Sequence, residues 1–147
     1  MDKFMKIAID EAREGINAGH GGPFGCVIVK DGKIIGRGHN EVIKQQDPTC
    51  HGEVMAIRNA CKNAGTYDLT GCELYTTAEP CPMCRGAILW ANIRKVYYGC
   101  NINDTDNIGF RDKIFYEGEQ DFSEEIDREE CLKVFEEYVA IKDKIQY

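Results

Sequence analysis

The stretch CELYTTAEPCPMCRGAILWANIRKVYYGC, residues 72–100, decides the architecture. Its first part, Cys72 to Thr77, is rich in aromatic and β-branched residues and predicts a short strand. Ala78-Glu79-Pro80 reads as a turn. A helix then begins at Pro82, where proline is tolerated because a first-turn N–H has no intrahelical partner anyway. Its GAILWA run is apolar on nearly every side, so burial against a sheet is expected. Lys95 to Cys100 (KVYYGC) reads as another strand. Strand, helix and strand in succession favour a layered α/β fold.

Working outward, Phe4, Ala8, Ala12 and Ile16 recur every fourth residue and mark the apolar face of an opening helix, ended by Gly19, Gly21, Gly22 and Pro23. Next comes GCVIVKDGKIIGRGHN (25–40), two β-rich runs joined by Asp31-Gly32, a strong hairpin signal. Lys44 to Pro48 is expected to be a polar loop. A second helix starts near Cys50, turns Val54, Ile57, Cys61 and Ala64 inward and stops at Gly65. Residues 101–122 read as irregular and polar. From Ser123, a capping residue followed by acids, a last helix is expected to bury a stripe of Cys131, Val134, Tyr138, Ile141 and Ile145. The expectation is one domain, 1–147, folded as a three-layer α/β/α sandwich around a mixed sheet.

The 147 residues allow one core, and 43% hydrophobic with 29% charged residues is ordinary for a globular protein. No apolar run approaches the roughly 20 residues that span a bilayer. MDKFMKIAIDEAREG (1–15) carries acids within an amphipathic pattern rather than the apolar core of an export signal, so a cytoplasmic location is expected. In that compartment, Cys26, Cys50, Cys61, Cys72, Cys100 and Cys131 read as reduced, small hydrophobes. The net charge of −7 is uneven: residues 1–100 carry +1 and residues 101–147 carry −8. Phosphate backbones need a basic stripe, so no nucleic-acid partner is expected, and no membrane either.

Three residues carry the chemistry. His51 in CHGEV and Cys81 and Cys84 in EPCPMC are a zinc-type donor set, and Glu53 stands two places from the histidine. Cys81 and Cys84, three apart at a helix entry, share a face where free N–H groups favour thiolates. Three protein ligands leave a fourth position for water, and Glu53 is placed to move its protons. The competing reading is a closed structural site in which Cys50 supplies a fourth ligand, in a zinc-stabilised module without activity.

The H-x-E…P-C-x-x-C pattern is a known signature of zinc-dependent base deaminases. With GGPFG, VIVKDG, Asn40, DPTCH, GAI and IGFRD, the chain resembles the cytidine deaminase-like superfamily, and within it most closely the small bacterial guanine deaminases. The resemblance implies hydrolytic deamination of a free nucleobase, guanine to xanthine plus ammonia, with Zn2+ on His51, Cys81 and Cys84 and with Glu53 as proton shuttle. It implies that Phe24 packs on the purine, that Asn40 bonds its edge and that Asp112 helps protonate the leaving amino group. It further implies a homodimer in which residues 123–147 are domain-swapped and Tyr147 closes the partner's site. From the residues alone, Phe24 also fits core packing, Asn40 a turn, Asp112 solvated surface and Tyr147 a loose terminus. GRGHN with HGE also resembles fungal-type cytosine deaminases, and PCxMC with GAI resembles tRNA adenosine deaminases.

Overall fold

The structure, a computed structural model, describes residues 1–118 and 122–147. In chain order its elements are α1 (Lys3–Asn17), β1 (Gly25–Lys30), β2 (Lys33–His39), α2 (Val42–Gln45), α3 (Gly52–Ala64), β3 (Glu73–Ala78), α4 (Pro82–Trp90), β4 (Lys95–Cys100), α5 (Ile102–Asn107), α6 (Asp112–Glu117) and α7 (Arg128–Ala140). The sheet order is β2-β1-β3-β4. β1 pairs antiparallel with β2 and β3, while β3 and β4 run parallel on either side of α4, so the sheet is mixed. Asp31 and Gly32 take positive φ at the β1–β2 turn, as a tight hairpin requires.

Period-two alternation along β1 splits the core into two layers. Val27 and Val29 face α1, where they pack with Ala8, Tyr75 and the flanking Phe4, Met5 and Ile7. Cys26 and Ile28 face the other way, against Ala56 and Ala60 of α3 and Ile88 of α4, with Leu69, Leu74 and Ile93 filling in. This is the expected three-layer α/β/α sandwich. Fully burying a side chain such as Ile28 contributes about 1.5–3 kcal/mol.

Several expectations need correction. α3 fully buries Gly52, Glu53, Ala56 and Ala60; of the expected stripe, Ile57 and Cys61 pack half-buried against the core, Val54 is half-buried and Ala64 is exposed. The helix lies so close to β2 that a Cβ on Gly36 would come within 2.6 Å of the Ala56 carbonyl and of Ala60. Close approach of backbones selects small residues, whereas apolar periodicity selects large ones. In α1 the buried set is Ala8, Glu11, Ala12 and Gly15, and Ile16 is exposed. The supposed loop at 44–48 begins inside α2, and 101–118 contains α5 and α6; residues 119–121 lie outside the described residues.

The last helix starts at Arg128 rather than Ser123, after Asp127 in a left-handed conformation, and ends at Ala140 before Ile141. It buries no residue: Val134, Phe135, Tyr138 and Val139 are all exposed, as are Cys131, Ile141 and Ile145. Within the described residues that face stays open, apart from Lys144 over the Tyr138 ring. No helix among the described residues is long and apolar enough to cross a membrane.

Candidate active site

Two helix N-termini meet at the carboxyl end of β3. His51 is the N-cap of α3 and Cys81 the N-cap of α4, with Pro82 at the first turn and the Cys84 N–H pointing at the Cys81 sulfur at 3.5 Å. His51 Nδ1 lies 3.5 Å from both sulfurs, and the three donor atoms lie within 4.8 Å of one another. For zinc bonded to nitrogen at about 2.0–2.1 Å and to sulfur at about 2.3 Å, a tetrahedral N···S edge is about 3.5–3.6 Å. The trio therefore has the spacing of three corners of a zinc tetrahedron. Cys50 does not join them: its buried sulfur accepts from the Arg58 guanidinium at 3.4 Å, which removes the four-ligand structural alternative.

The electrostatics agree. Hydrogen bonding from Cys84 lowers Cys81 to about 4, with His51 adding to the effect. Beside that thiolate the Cys84 thiol is pushed far up. Two sulfurs this close are both thiolates only with a cation between them. The Cys81 sulfur is also the main reason why His51 is raised. Glu53, in the first turn of α3, is buried, and burial raises its carboxyl above the usual glutamate range. Thr76 of β3 donates to Glu53 Oε1 at 2.7 Å, and the Cys84 thiol also bonds the carboxyl.

These groups open into a cleft of about 500 Å³ whose walls include Gly21, Phe24, Asn40, His51, Glu53, Cys81, Phe110, Arg111 and Asp112. Of the sequence-derived candidates it gathers Phe24, Asn40 and Asp112 beside Glu53 and the ligand trio. Phe24 meets Phe110 edge-on at 4.8 Å between centroids. Asn40 is buried; its Oδ1 accepts from the Val42 N–H at 3.1 Å, which turns the NH2 to the opposite side. Only glycine fits at position 21, where a Cβ would fall 2.1 Å from Asn40 Oδ1. Asp112, at the start of α6, is raised by partial burial and by the nearby Cys81 sulfur. Tyr116 of α6 donates to the Pro80 carbonyl at 2.5 Å, fastening this helix to the ligand loop.

Tyr147 does not line the cleft of its own chain. Its ring lies 6.0 Å from those of Tyr67 and Trp90, at a separate apolar groove. Phe110, Arg111, Thr76 and Tyr116 were not foreseen as site residues. Thr76 had a signal, a polar residue on the inward register of a buried strand; Phe110 had none, being one of four aromatics in residues 101–122.

A family model for the cytidine and deoxycytidylate deaminase zinc-binding region matches residues 1–100. The chain belongs to the cytidine and deoxycytidylate deaminase family. Guanine deaminase of Bacillus subtilis (strain 168) is 54% identical over 115 residues, covering 78% of this chain and 74% of that one. The X-ray structure of guanine deaminase from Bacillus subtilis superposes with a TM-score of 0.93 at 44% identity, covering 100% and 99% of the two chains. A tRNA-specific adenosine deaminase of Aquifex aeolicus (strain VF5) is 45% identical over 95 residues, covering 65% of this chain and 62% of that one. This deaminase is thus a zinc-dependent aminohydrolase that acts on a nucleobase, and its His51, Cys81 and Cys84 fit the metal.

Proposed function

We propose that the enzyme hydrolyses free guanine to xanthine and ammonia. The cleft carries this reading: one cavity of about 500 Å³, within the usual size of small-molecule sites, is lined by Glu53, His51 and Cys81 together with Phe24, Asn40 and Asp112. The likeness to guanine deaminase over the whole chain supports it.

When bound by His51, Cys81 and Cys84, zinc supplies a water that is acidic near neutral pH. Phe24 packs on one face of the base, and the Asn40 NH2 donates to an acceptor on its edge. Glu53 takes up a proton from the water and passes it to the ring nitrogen beside the amino-bearing carbon, which makes that carbon electrophilic. Once a C–O bond has formed there, Glu53 takes the proton of the new hydroxyl, which becomes the product carbonyl, and delivers it to the amino group, with Asp112 as relay. The C–N bond breaks and ammonia leaves. A carboxyl held above its usual range by burial is suited to giving back the proton it takes.

The apolar face of α7 supports a homodimer in which residues 123–147 pack on a second copy and Tyr147 closes the neighbour's cleft. A reducing compartment such as the cytoplasm suits two thiolate ligands and six further free cysteines. The tRNA-specific relatives favour a second reading, adenosine in RNA, which the −8 charge of residues 101–147 opposes. Ammonia release from guanine, cytosine, adenine, guanosine, cytidine and an anticodon stem-loop RNA tests these readings. Release from guanine alone is expected; release from cytosine or the RNA alone overturns the substrate and leaves the reaction class intact.

A further inference from the structure

Beneath the wall of the cleft lies a chain of charged and titratable groups that the reaction does not use. Glu11 of α1, buried, is paired with Arg37 and accepts from His39 Nδ1 at 2.8 Å. His39 Nε2 in turn faces His20 Nδ1 at 2.8 Å. Glu41, paired with Lys44 at 3.1 Å, has a carboxylate oxygen within 4.8 Å of the histidine nitrogens. His20, His39 and Glu41 have the composition of a metal site, but the ring geometry opposes one. With nitrogens 2.8 Å apart, centroids 5.0 Å apart and rings 19° from parallel, both nitrogens lie nearly on the line joining the rings. Their lone-pair directions aim at each other, as in a shared N–H···N bond, and not at a common third point.

The chain has consequences for the site because of what His20 and His39 carry. The His20 carbonyl accepts from the Ile43 and Lys44 N–H groups at 3.0 and 3.1 Å, tying residues 20–22 to α2. Gly21 is wedged against Asn40 Oδ1, and His39 immediately precedes Asn40, whose N–H donates to the Phe24 carbonyl at 2.9 Å. The His20–His39 bond thus closes a ring of contacts around the Asn40 amide.

We propose that His39, clamped between Glu11 and His20, is a positioning residue that locks the wall presenting Asn40 to the substrate, and that the lock tolerates one positive charge on the histidine pair but not two. The Glu11 carboxylate requires an N–H at His39 Nδ1. In a neutral pair His39 Nε2 accepts and His20 Nδ1 donates; one extra proton goes either to His20 Nε2 with the roles kept or to His39 Nε2 with them reversed, and the bond persists. With two, N–H faces N–H and cation faces cation, so His20 swings away and takes Gly21 with it. Glu11, Arg37, Glu41 and Lys44 are the charged groups around the pair, and none supplies the missing acceptor between the rings.

The proposal rests on Asn40 binding the base edge, and its test has an arm that needs no substrate. The chain has three histidines, so long-range 1H–15N spectra resolve each ring. At neutral pH both His39 and His20 are expected to carry the proton on Nδ1, and on acidification the protection of amides 18–22, taken relative to their intrinsic exchange rates at each pH, falls as the second ring becomes cationic. Bare Nδ1 on His39, or unchanged protection when both rings are cationic, overturns the lock. In the kinetic arm, His20→Ala raises KM for guanine roughly fivefold with kcat changed less than about twofold, the usual scale of one lost hydrogen bond. His20→Asn, which offers a non-titrating amide N–H near the Nδ1 position, restores KM and abolishes the acid-side rise in KM expected of the parent enzyme. Unchanged KM in His20→Ala, or an unaltered acid-side rise in His20→Asn, contradicts the proposal. If the parent enzyme releases no ammonia from guanine, the substrate reading fails, and spectra and exchange still decide the lock.

Discussion

The body of the enzyme, residues 1–118, and its C-terminal segment, residues 122–147, are built on opposite terms. In the body, the apolar side chains of β1 and β3 on both sheet faces are covered by helices, with Tyr97 and Tyr98 of β4 left open, and His51 and Cys81, which fit zinc together with Cys84, cap two helix N-termini anchored in that core. In the segment, α7 carries Val134, Phe135, Tyr138 and Val139 in the open, and Tyr147 near Tyr67 and Trp90 is its aromatic link to the body. Exposed apolar faces of this kind mark interaction sites. The groups that fit the deaminase chemistry therefore lie in the body, and the segment presents an open apolar face.

The sharpest consequence concerns the body. Glu53→Gln is expected to lower ammonia release by about 10²–10⁴-fold while zinc content and fold persist, since the amide cannot shuttle protons. Activity within tenfold of the parent enzyme would place the proton transfer elsewhere. Next, deleting residues 123–147 is expected to leave zinc stoichiometric and unfolding cooperative, while light scattering shows a monomer and KM rises about tenfold, the scale of a lost aromatic contact. Loss of zinc on deletion would break the division between body and segment.

Two smaller effects sharpen the comparison. Ile28→Ala in the core should cost about 2–5 kcal/mol by denaturant unfolding, whereas Val139→Ala, measured where the protein is monomeric, should stay within about 0.5 kcal/mol. Comparable costs would mean that α7 is covered within its own chain. Finally, burial raises Glu53, so its carboxyl favours the folded state fully below the unfolded-chain value of about 4.3 and loses that contribution as pH rises through the folded value. Glu53→Gln, at matched zinc, should therefore melt above the parent enzyme at neutral pH, the gap shrinking on acidification. A gap independent of pH would contradict that cause.

The body was largely legible in the sequence, and the segment was not. Residues 72–100 announced strand, turn, helix and strand through Pro82 and the CxxC entry, but the GAILWA run, expected to be buried, buries Ile88 and Ala91 and leaves Leu89 and Trp90 exposed. The ligand trio and Glu53 were legible because metal chemistry restricts residue type and spacing. Packing was less so: Gly36 against Ala56 and Ala60 is decided by close backbone approach between elements far apart in sequence. The Glu11–His39 pair was hidden because a glutamate on an amphipathic helix reads as solvated until its partner strand is placed. The stripe on α7 was read correctly as apolar, but periodicity names a face to be covered, not the molecule that covers it.

Zinc K-edge X-ray absorption on the active enzyme tests the open three-ligand centre most directly. Two sulfur ligands at about 2.3 Å and two nitrogen or oxygen ligands at about 2.0–2.1 Å are predicted: Cys81, Cys84, His51 and one exchangeable oxygen. Three sulfurs, or fully competent enzyme without a transition metal, would contradict the account.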